Sequence, residues 1–226
     1  MIANGEISVD SKVCLDPEWI VSLESSVITH KNKTLEKAPT SVIMLYKPRS
    51  VITSRKDEQG RPTVYSLLPD NLQHFHCVGR LDFATTGLLL LTNNTRLSSW
   101  LTDPLNKVQR VYTVTVRGLM TSETSENLQN GIIDNGERLQ ADNIIIRKSS
   151  RRESHLVITL TEGKNREIRR LCKSVGHEVT ALKRVSYGGL SLGNLQPKLY
   201  REITKEELVE AFGNLPEAII TNDFDQ

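Results

Sequence analysis

The chain is short of cysteine. Cys14, Cys77 and Cys172 lie far apart, and no C-x-x-C pair occurs. A zinc ribbon or a redox dithiol is therefore not expected, and the odd count fits a reducing compartment. Long hydrophobic runs are also lacking. Val42–Tyr46 and Leu88–Leu91 are among the longest, and a bilayer span needs about 20 apolar residues. No signal-like apolar stretch opens the sequence, so a cytoplasmic location is the expectation. Neither sign of charge dominates: 29 Lys and Arg oppose 27 Asp and Glu, for a net charge of +2. Global electrostatics announce no nucleic-acid binder, and only the local distribution can speak for one. No G-x-S-x-G motif and no Gly-rich nucleotide loop are present. His74, His76, His155 and His177 have no metal-ligand spacing, so no metal is expected. There is no internal repeat and no low-complexity tract.

What remains is ordinary globular material. The 226 residues are 38% hydrophobic and 25% charged, enough for one sizeable domain or two small ones. Met1 to about Lys33 reads as short strands and turns, with Asn4-Gly5 and Asp16-Pro17 as turn signals and Ile7 and Val9 alternating with polar residues. His30–Lys37 is polar and reads as a linker. Val42–Tyr46 is a buried-strand candidate, stopped by Lys47-Pro48. Leu88–Leu91 predicts a strand, and Asn94–Thr102 a helix. Val111–Val116 alternates, with Tyr112, Val114 and Val116 on one face. Asn135-Gly136 is a turn. Asn143–Arg147 and His155–Leu160 read as strands around a basic loop containing Arg151 and Arg152.

Asn165–Val175 has the clearest helical period. Ile168, Leu171, Cys172 and Val175 fall on one side, and Arg166, Arg169, Arg170 and Lys173 on the other. Gly176 stands where a C-terminal cap belongs. Thr204–Glu207 predicts a capping box opening a helix through Phe212. Ile219–Gln226 reads as an acidic, frayed tail. Strands outnumber helices, so a mixed α+β sheet is the expected class.

The most informative stretch is Val78–Asn93, which reads VGRLDFATTGLLLLTN. It sets Arg80 and Asp82 between glycines, just before an apolar run. A carboxylate held there can act as nucleophile or base, or simply be a loop or cap Asp. The stretch resembles the active-site loop of pseudouridine synthases, G-R-L-D-x-x-(T/S)-x-G-L-L-L-L-T-N. Three further segments carry the resemblance. Leu45–Ser54 resembles the family's opening strand and its Asn-Lys-Pro loop, with Tyr46 and Ser50 replacing the commoner Asn and Gly. Thr161–Leu171, containing EGKNREIRRL, resembles the family's basic helix motif. Lys183–Gly188 and Gly193–Leu195 resemble its closing segment. The resemblance runs from about Val42 to Leu208. The basic-helix form points to the bacterial RsuA/RluB/RluE/RluF group, which acts on ribosomal RNA. Ile2–Asp10 is similar to the later part of an S4 RNA-binding domain, with Asp10-Ser11 in place of Asn-Gly.

The resemblance implies an α+β catalytic domain over residues 37–226, with a long mixed, mainly antiparallel sheet and flanking helices. A partial S4-like segment and linker would occupy residues 1–36. It implies cofactor-free isomerisation of a specific uridine to pseudouridine in ribosomal RNA; the sequence is silent on oligomeric state, and a monomer is the default expectation. Asp82 would drive glycosidic cleavage. Tyr112, in Arg110–Val114, would stack on the flipped base, as an aromatic ring can. Arg169 would pair with Asp82, because a guanidinium stabilises a neighbouring carboxylate's charge. Arg80 would position the backbone or help open the target base. Lys47, Arg49, Lys164, Arg166, Arg170, Lys173, Lys183 and Arg184 are candidate phosphate contacts forming one basic face. Each residue also has a plainer reading: Tyr112 as a half-buried strand residue, and the arginine run as a solvated or phosphate-gripping helix face. A non-catalytic RNA-binding or ribosome-assembly factor is the alternative function, and a DNA-binding regulator a weaker third.

Overall fold

The computed structural model describes residues 1–22, 25–36, 38–213 and 215–216. The chain divides into two compact units, Met1–Pro39 and a larger one from Thr40 onward. The first is a small antiparallel sheet of β1 (Ile7–Val9), β2 (Lys12–Cys14), β3 (Ile28–His30) and β4 (Lys33–Thr34), in the order β2-β1-β3-β4. Asp10 and Ser11 join β1 to β2 with φ of 47° and 67°, the left-handed pair that a two-residue hairpin needs. Lys31 and Asn32 repeat the device. His30–Lys37, expected as a linker, is therefore partly strand, because its polar residues form a hairpin turn. Lys37 and the expected tail Ile219–Gln226 lie outside the described residues.

The larger unit is built on a nine-stranded sheet. Its strands are β5 (Val42–Lys47), β6 (His76–Cys77), β7 (Thr86–Thr92), β8 (Arg110–Arg117), β11 (Asn143–Ser149), β12 (Glu153–Leu160), β13 (Val179–Tyr187), β14 (Leu190–Ser191) and β15 (Tyr200–Ile203). The order is β11-β12-β8-β13-β7-β5-β15, with β6 on β7 and β14 on β13. β9 (Ile132–Asp134) and β10 (Glu137–Leu139) form a separate hairpin about the predicted Asn135-Gly136 turn. The helices are α1 (Thr95–Thr102), α2 (Ser122–Asn130), α3 (Glu167–Ser174) and α4 (Lys205–Ala211). This is the expected α+β class with a mixed, mainly antiparallel sheet.

The parallel pairing sits in the middle. β7 and β13 meet over two register pairs, Thr86↔Lys183 and Gly87↔Arg184. Gly87 allows it: a Cβ there would stand 2.1 Å from the Arg184 carbonyl oxygen, and its φ is +105°. The sheet thus has two halves joined by a narrow seam. On one side, β5 and β7 are covered on both faces. Ile43, Leu45, Leu89 and Leu91 join a core with residues of α2 and α3. Val42, Met44, Leu88 and Leu90 join a second core with residues of α1 and α4. That is why Leu88–Leu91 is apolar without alternation. On the other side, β8 and β12 alternate. Val114, Val116, Leu156 and Ile158 are buried, while Thr113, Thr115, His155 and Val157 are exposed or half-buried.

α1 is capped by Asn94 and α4 by the expected capping box, Thr204 with Glu207. α3 is shorter than its period predicts. Arg166 is left-handed at φ 50°, so the helix begins at Glu167, and Gly176 at φ 81° follows its end. α2 was not predicted: its sequence SETSENLQN is polar, with Leu128 its one apolar anchor. β13 was anticipated only as a motif, because Lys183-Arg184 interrupts its apolar pattern. Among the described residues no helix is long and apolar enough to cross a membrane.

Candidate active site

Asp82 lies in the loop between β6 and β7, and the loop's backbone is pinned from both sides. On one side Lys47 ends β5 with its side chain fully buried. Its Nζ donates to the carbonyls of Pro48 (3.1 Å), Asp82 (3.0 Å) and Thr85 (2.8 Å). An ammonium has three protons, and all three are used. On the other side the buried Thr53 hydroxyl donates to the Leu81 carbonyl at 2.8 Å and accepts the Leu81 N–H at 3.3 Å. The Thr85 N–H closes a turn onto the Asp82 carbonyl, and the Ser50 N–H reaches the Phe83 carbonyl. Burial pulls the Lys47 pKa down from 10.5 to about 8, against the opposing pull of the Asp82 charge. The strut is therefore charged at neutral pH.

The Asp82 carboxylate itself is held loosely. Its Oδ2 lies 3.5 Å from Arg166 Nη1 and 3.9 Å from Arg169 Nε. Both are ion-pairing distances, longer than a charge-assisted hydrogen bond. Arg169 is fixed by α3 and donates from Nη1 to the Val179 carbonyl at 3.2 Å. Burial lowers its pKa, the Arg166 charge adds to this, and the Asp82 charge opposes it. The result is a carboxylate with cations beside it and no tight bond consuming its lone pairs.

These groups line one cavity of about 520 Å³, whose walls include Asp82, Tyr112, Leu160, Arg166, Arg169 and Leu182. The volume is in the range of small-molecule and cofactor sites. Tyr112 is 9% exposed and presents part of its surface to this space. Beneath it the floor is tied together by a buried guanidinium. Arg110 donates to the Thr161 carbonyl at 2.8 Å, the Leu101 carbonyl at 3.1 Å and the Tyr187 hydroxyl at 3.0 Å. The Tyr187 hydroxyl donates in turn to the Leu101 carbonyl at 2.7 Å. Glu167, on the first turn of α3, is 3% exposed. Burial first, and then Glu162, push its carboxyl up to about 8.

The expected site residues thus separate into groups. Asp82, Tyr112 and Arg169 border one cavity, with Arg80 exposed at its edge and Arg166 on the carboxylate. The other expected phosphate contacts behave differently. Lys47 is interior, as a strut for the Asp82 loop. Arg184 is 2% exposed and donates from Nε to the Leu88 carbonyl at 2.7 Å. Arg170 turns from the cavity and pairs with Asp134 at 2.5 Å and Glu137 at 2.6 Å on the β9–β10 hairpin. Lys164 is held by Glu162 at 2.6 Å and the Arg138 carbonyl at 2.7 Å. Charge in a motif was read as charge for a ligand, whereas the fold uses much of it internally. The roles of Thr53, Arg110, Tyr187 and Glu167 were missed. Lys47 carried a signal, as a lone cation ending the apolar run VIMLY.

Residues 41–174 match the family model described as RNA pseudouridylate synthase. The chain belongs to this family. Among relatives of the pseudouridine synthase, ribosomal large subunit pseudouridine synthase B of Bacillus subtilis (strain 168) is 31% identical over 210 residues, covering 92% of this chain and 86% of the relative. The protein of the same name from Buchnera aphidicola subsp. Acyrthosiphon pisum (strain APS) is 33% identical over 216 residues, covering 92% and 86%. A pseudouridylate synthase crystal structure superposes with a TM-score of 0.71 at 26% identity, covering 93% of this chain and 90% of that one. The fold is the pseudouridine synthase fold, and the chain falls in the RsuA/RluB branch of the family.

Proposed function

We propose that this pseudouridine synthase isomerises a specific uridine of ribosomal RNA, with Asp82 as the reacting carboxylate, Tyr112 stacking on the flipped uracil and Arg169 holding Asp82 in its charged form. The observation that carries the reading is the Asp82 loop. Its backbone is fixed by Lys47 and Thr53, while its carboxylate is held only by the long Arg166 and Arg169 pairs at a cavity bordered by Tyr112. A carboxylate on a rigid loop, kept charged by cations that do not bind it tightly, is suited to act as nucleophile or base. The reaction balances within the substrate. The C1′–N1 bond breaks, C1′–C5 forms, the C5 proton leaves to water and N1 takes up a proton. Ribosomal RNA is favoured by the names of the Bacillus and Buchnera relatives. Arg80 and Arg166, exposed around the cavity, are suited to the phosphates flanking the flipped base. In the same reading residues 1–36 form an S4-like RNA-contacting segment and residues 37–226 the catalytic part.

The test is tritium release from C5-labelled uridine in bacterial large- and small-subunit ribosomal RNA, comparing wild type with Asp82→Asn. Release by wild type alone is the expected result. Release by both proteins would move the reacting role off Asp82. No release by either, with RNA still bound, would favour a binding factor.

A further inference from the structure

The open face of β8, β12 and β13 holds a second groove, of about 390 Å³. The largely buried Val114, Leu156 and Leu182 reach its lining. Its floor is made of short side chains, among them Thr113, Thr115, Val157 and Ala181. Its rim carries Arg49, Arg147 and Lys183. No Asp or Glu lines it. Among the described residues no ion pair holds Arg49, Arg147 or Lys183. Lys183 instead lies over the Tyr46 ring, with Nζ 4.9 Å from its centroid. His155 contributes less charge, because Glu153 pairs with it at 3.2 Å.

The contrast with the cavity side is physical. There Lys47, Arg170, Lys164 and Arg184 are engaged by carbonyls or carboxylates. Here three cations stand over a small-residue floor, and among the described residues no carboxylate pairs with them. The groove also adjoins the Asp82 loop: Ala84 and Thr86 line it, and Leu182 borders both cavities. Arg49 is near enough to Arg169 to act on its charge.

We infer that this groove is a second RNA-binding surface, gripping the phosphate backbone of the substrate strand beside the flipped uridine. The inference rests on the proposed function for the identity of the RNA. Charge complementarity favours a polyanion, and short side chains beneath long cations leave room for a sugar–phosphate strand. Flipping a base costs a few kcal/mol, and contacts away from the pocket help to offset it.

The test uses Arg147→Ala, Lys183→Ala and the double variant, with Arg96→Ala on the exposed face of α1 as a control for lost charge. Binding of unmodified large- and small-subunit ribosomal RNA transcripts is measured between 50 and 200 mM salt, alongside tritium release. Each phosphate contact contributes a salt slope of about 0.7–0.9. Over that fourfold range, wild type should lose about 7- to 12-fold more affinity than the double variant. KM should rise at low salt, with kcat at saturating RNA unchanged. Arg147 is exposed, so its single variant gives a reading even if Lys183→Ala perturbs packing against Tyr46. Equal salt slopes in wild type, Arg147→Ala and the double variant would overturn the groove and leave an acidic protein as its partner. A fall in kcat at saturating RNA would also overturn it as a binding surface. If wild type releases no tritium but the double variant still loses RNA affinity with the expected slope, the groove stands and the proposed reaction fails.

Discussion

Replacing Lys47 with Met keeps the length of the side chain and removes its three donors. The Asp82 carbonyl retains the Thr85 N–H, so the carbonyls of Pro48 and Thr85 lose their Lys47 bonds. An orphaned buried acceptor costs about 1–3 kcal/mol, or about 2–6 for the pair. Against this, the buried ammonium disappears. Its pKa falls from 10.5 to about 8, a penalty of about 3.5 kcal/mol at roughly 1.4 kcal/mol per unit, so the two effects nearly cancel. The net change in stability is about 1 kcal/mol or less, which moves Tm by no more than roughly 2–4 °C. The loop, however, loses the strut that fixes the backbone on either side of the carboxylate. A drift of about 1 Å in a reacting group costs on the order of 100-fold in rate. Lys47→Met should therefore melt close to wild type and release tritium about 100-fold more slowly. Thermal melting and single-turnover release on the same preparation decide it. Unchanged turnover in a folded Lys47→Met protein would refute the strut. The pH dependence has a definite sign. As pH rises through about 8, Lys47 loses a proton and one donor, so wild-type kcat should decline there. Stability moves the other way: up to pH 10.5 the unfolded chain keeps a proton the folded chain has released, so this group's contribution rises with pH.

Gly87→Ala places a Cβ 2.1 Å from the Arg184 carbonyl oxygen in a left-handed conformation. It should cost about 3 kcal/mol or more; a melting curve superimposable on wild type would contradict the close seam. Glu167→Gln mimics the protonated carboxyl that burial and Glu162 favour up to about pH 8. Between pH 4.5 and 8 the unfolded Glu167 ionises while the folded one does not, so wild type loses stability as pH rises. The Gln variant should match wild-type Tm below pH 4.5 and exceed it at pH 8, and a constant difference across that window would exclude the assignment.

Elements with strong local patterning were legible in the sequence. The strands of β5, β7, β8, β11 and β12 appear in hydrophobic runs or alternation, and the caps of α1 and α4 in single residues. α2 and β13 lacked such marks. One is nearly all polar, and the other carries Lys183-Arg184 inside a strand, where partners nearly a hundred residues away provide the burial. The site followed the same rule. Asp82, Tyr112 and Arg169 belong to motifs that can be read locally. The floor ties Tyr187 to Arg110 and the Leu101 carbonyl, 77 and 86 residues away, and no spacing in the sequence announces it. For the basic residues, local reading supplied the charge but not its destination.

The seam between β7 and β13 also bears on when the molecule becomes chemically competent. Asp82 belongs to the half that contains β5 and β7, and Arg169 to α3, whose apolar face joins a core shared by both halves. The Arg184–Leu88 bond that joins the halves closes a separation of 96 residues, and the pairing of β5 with β15, from Val42 to Ile203, closes a longer one. Loop-closure entropy rises with the enclosed length, so the acid and its guanidinium meet only after a long loop has closed. The ion pair at the cavity thus forms only when the Asp82 loop and α3, 87 residues apart, are both in place.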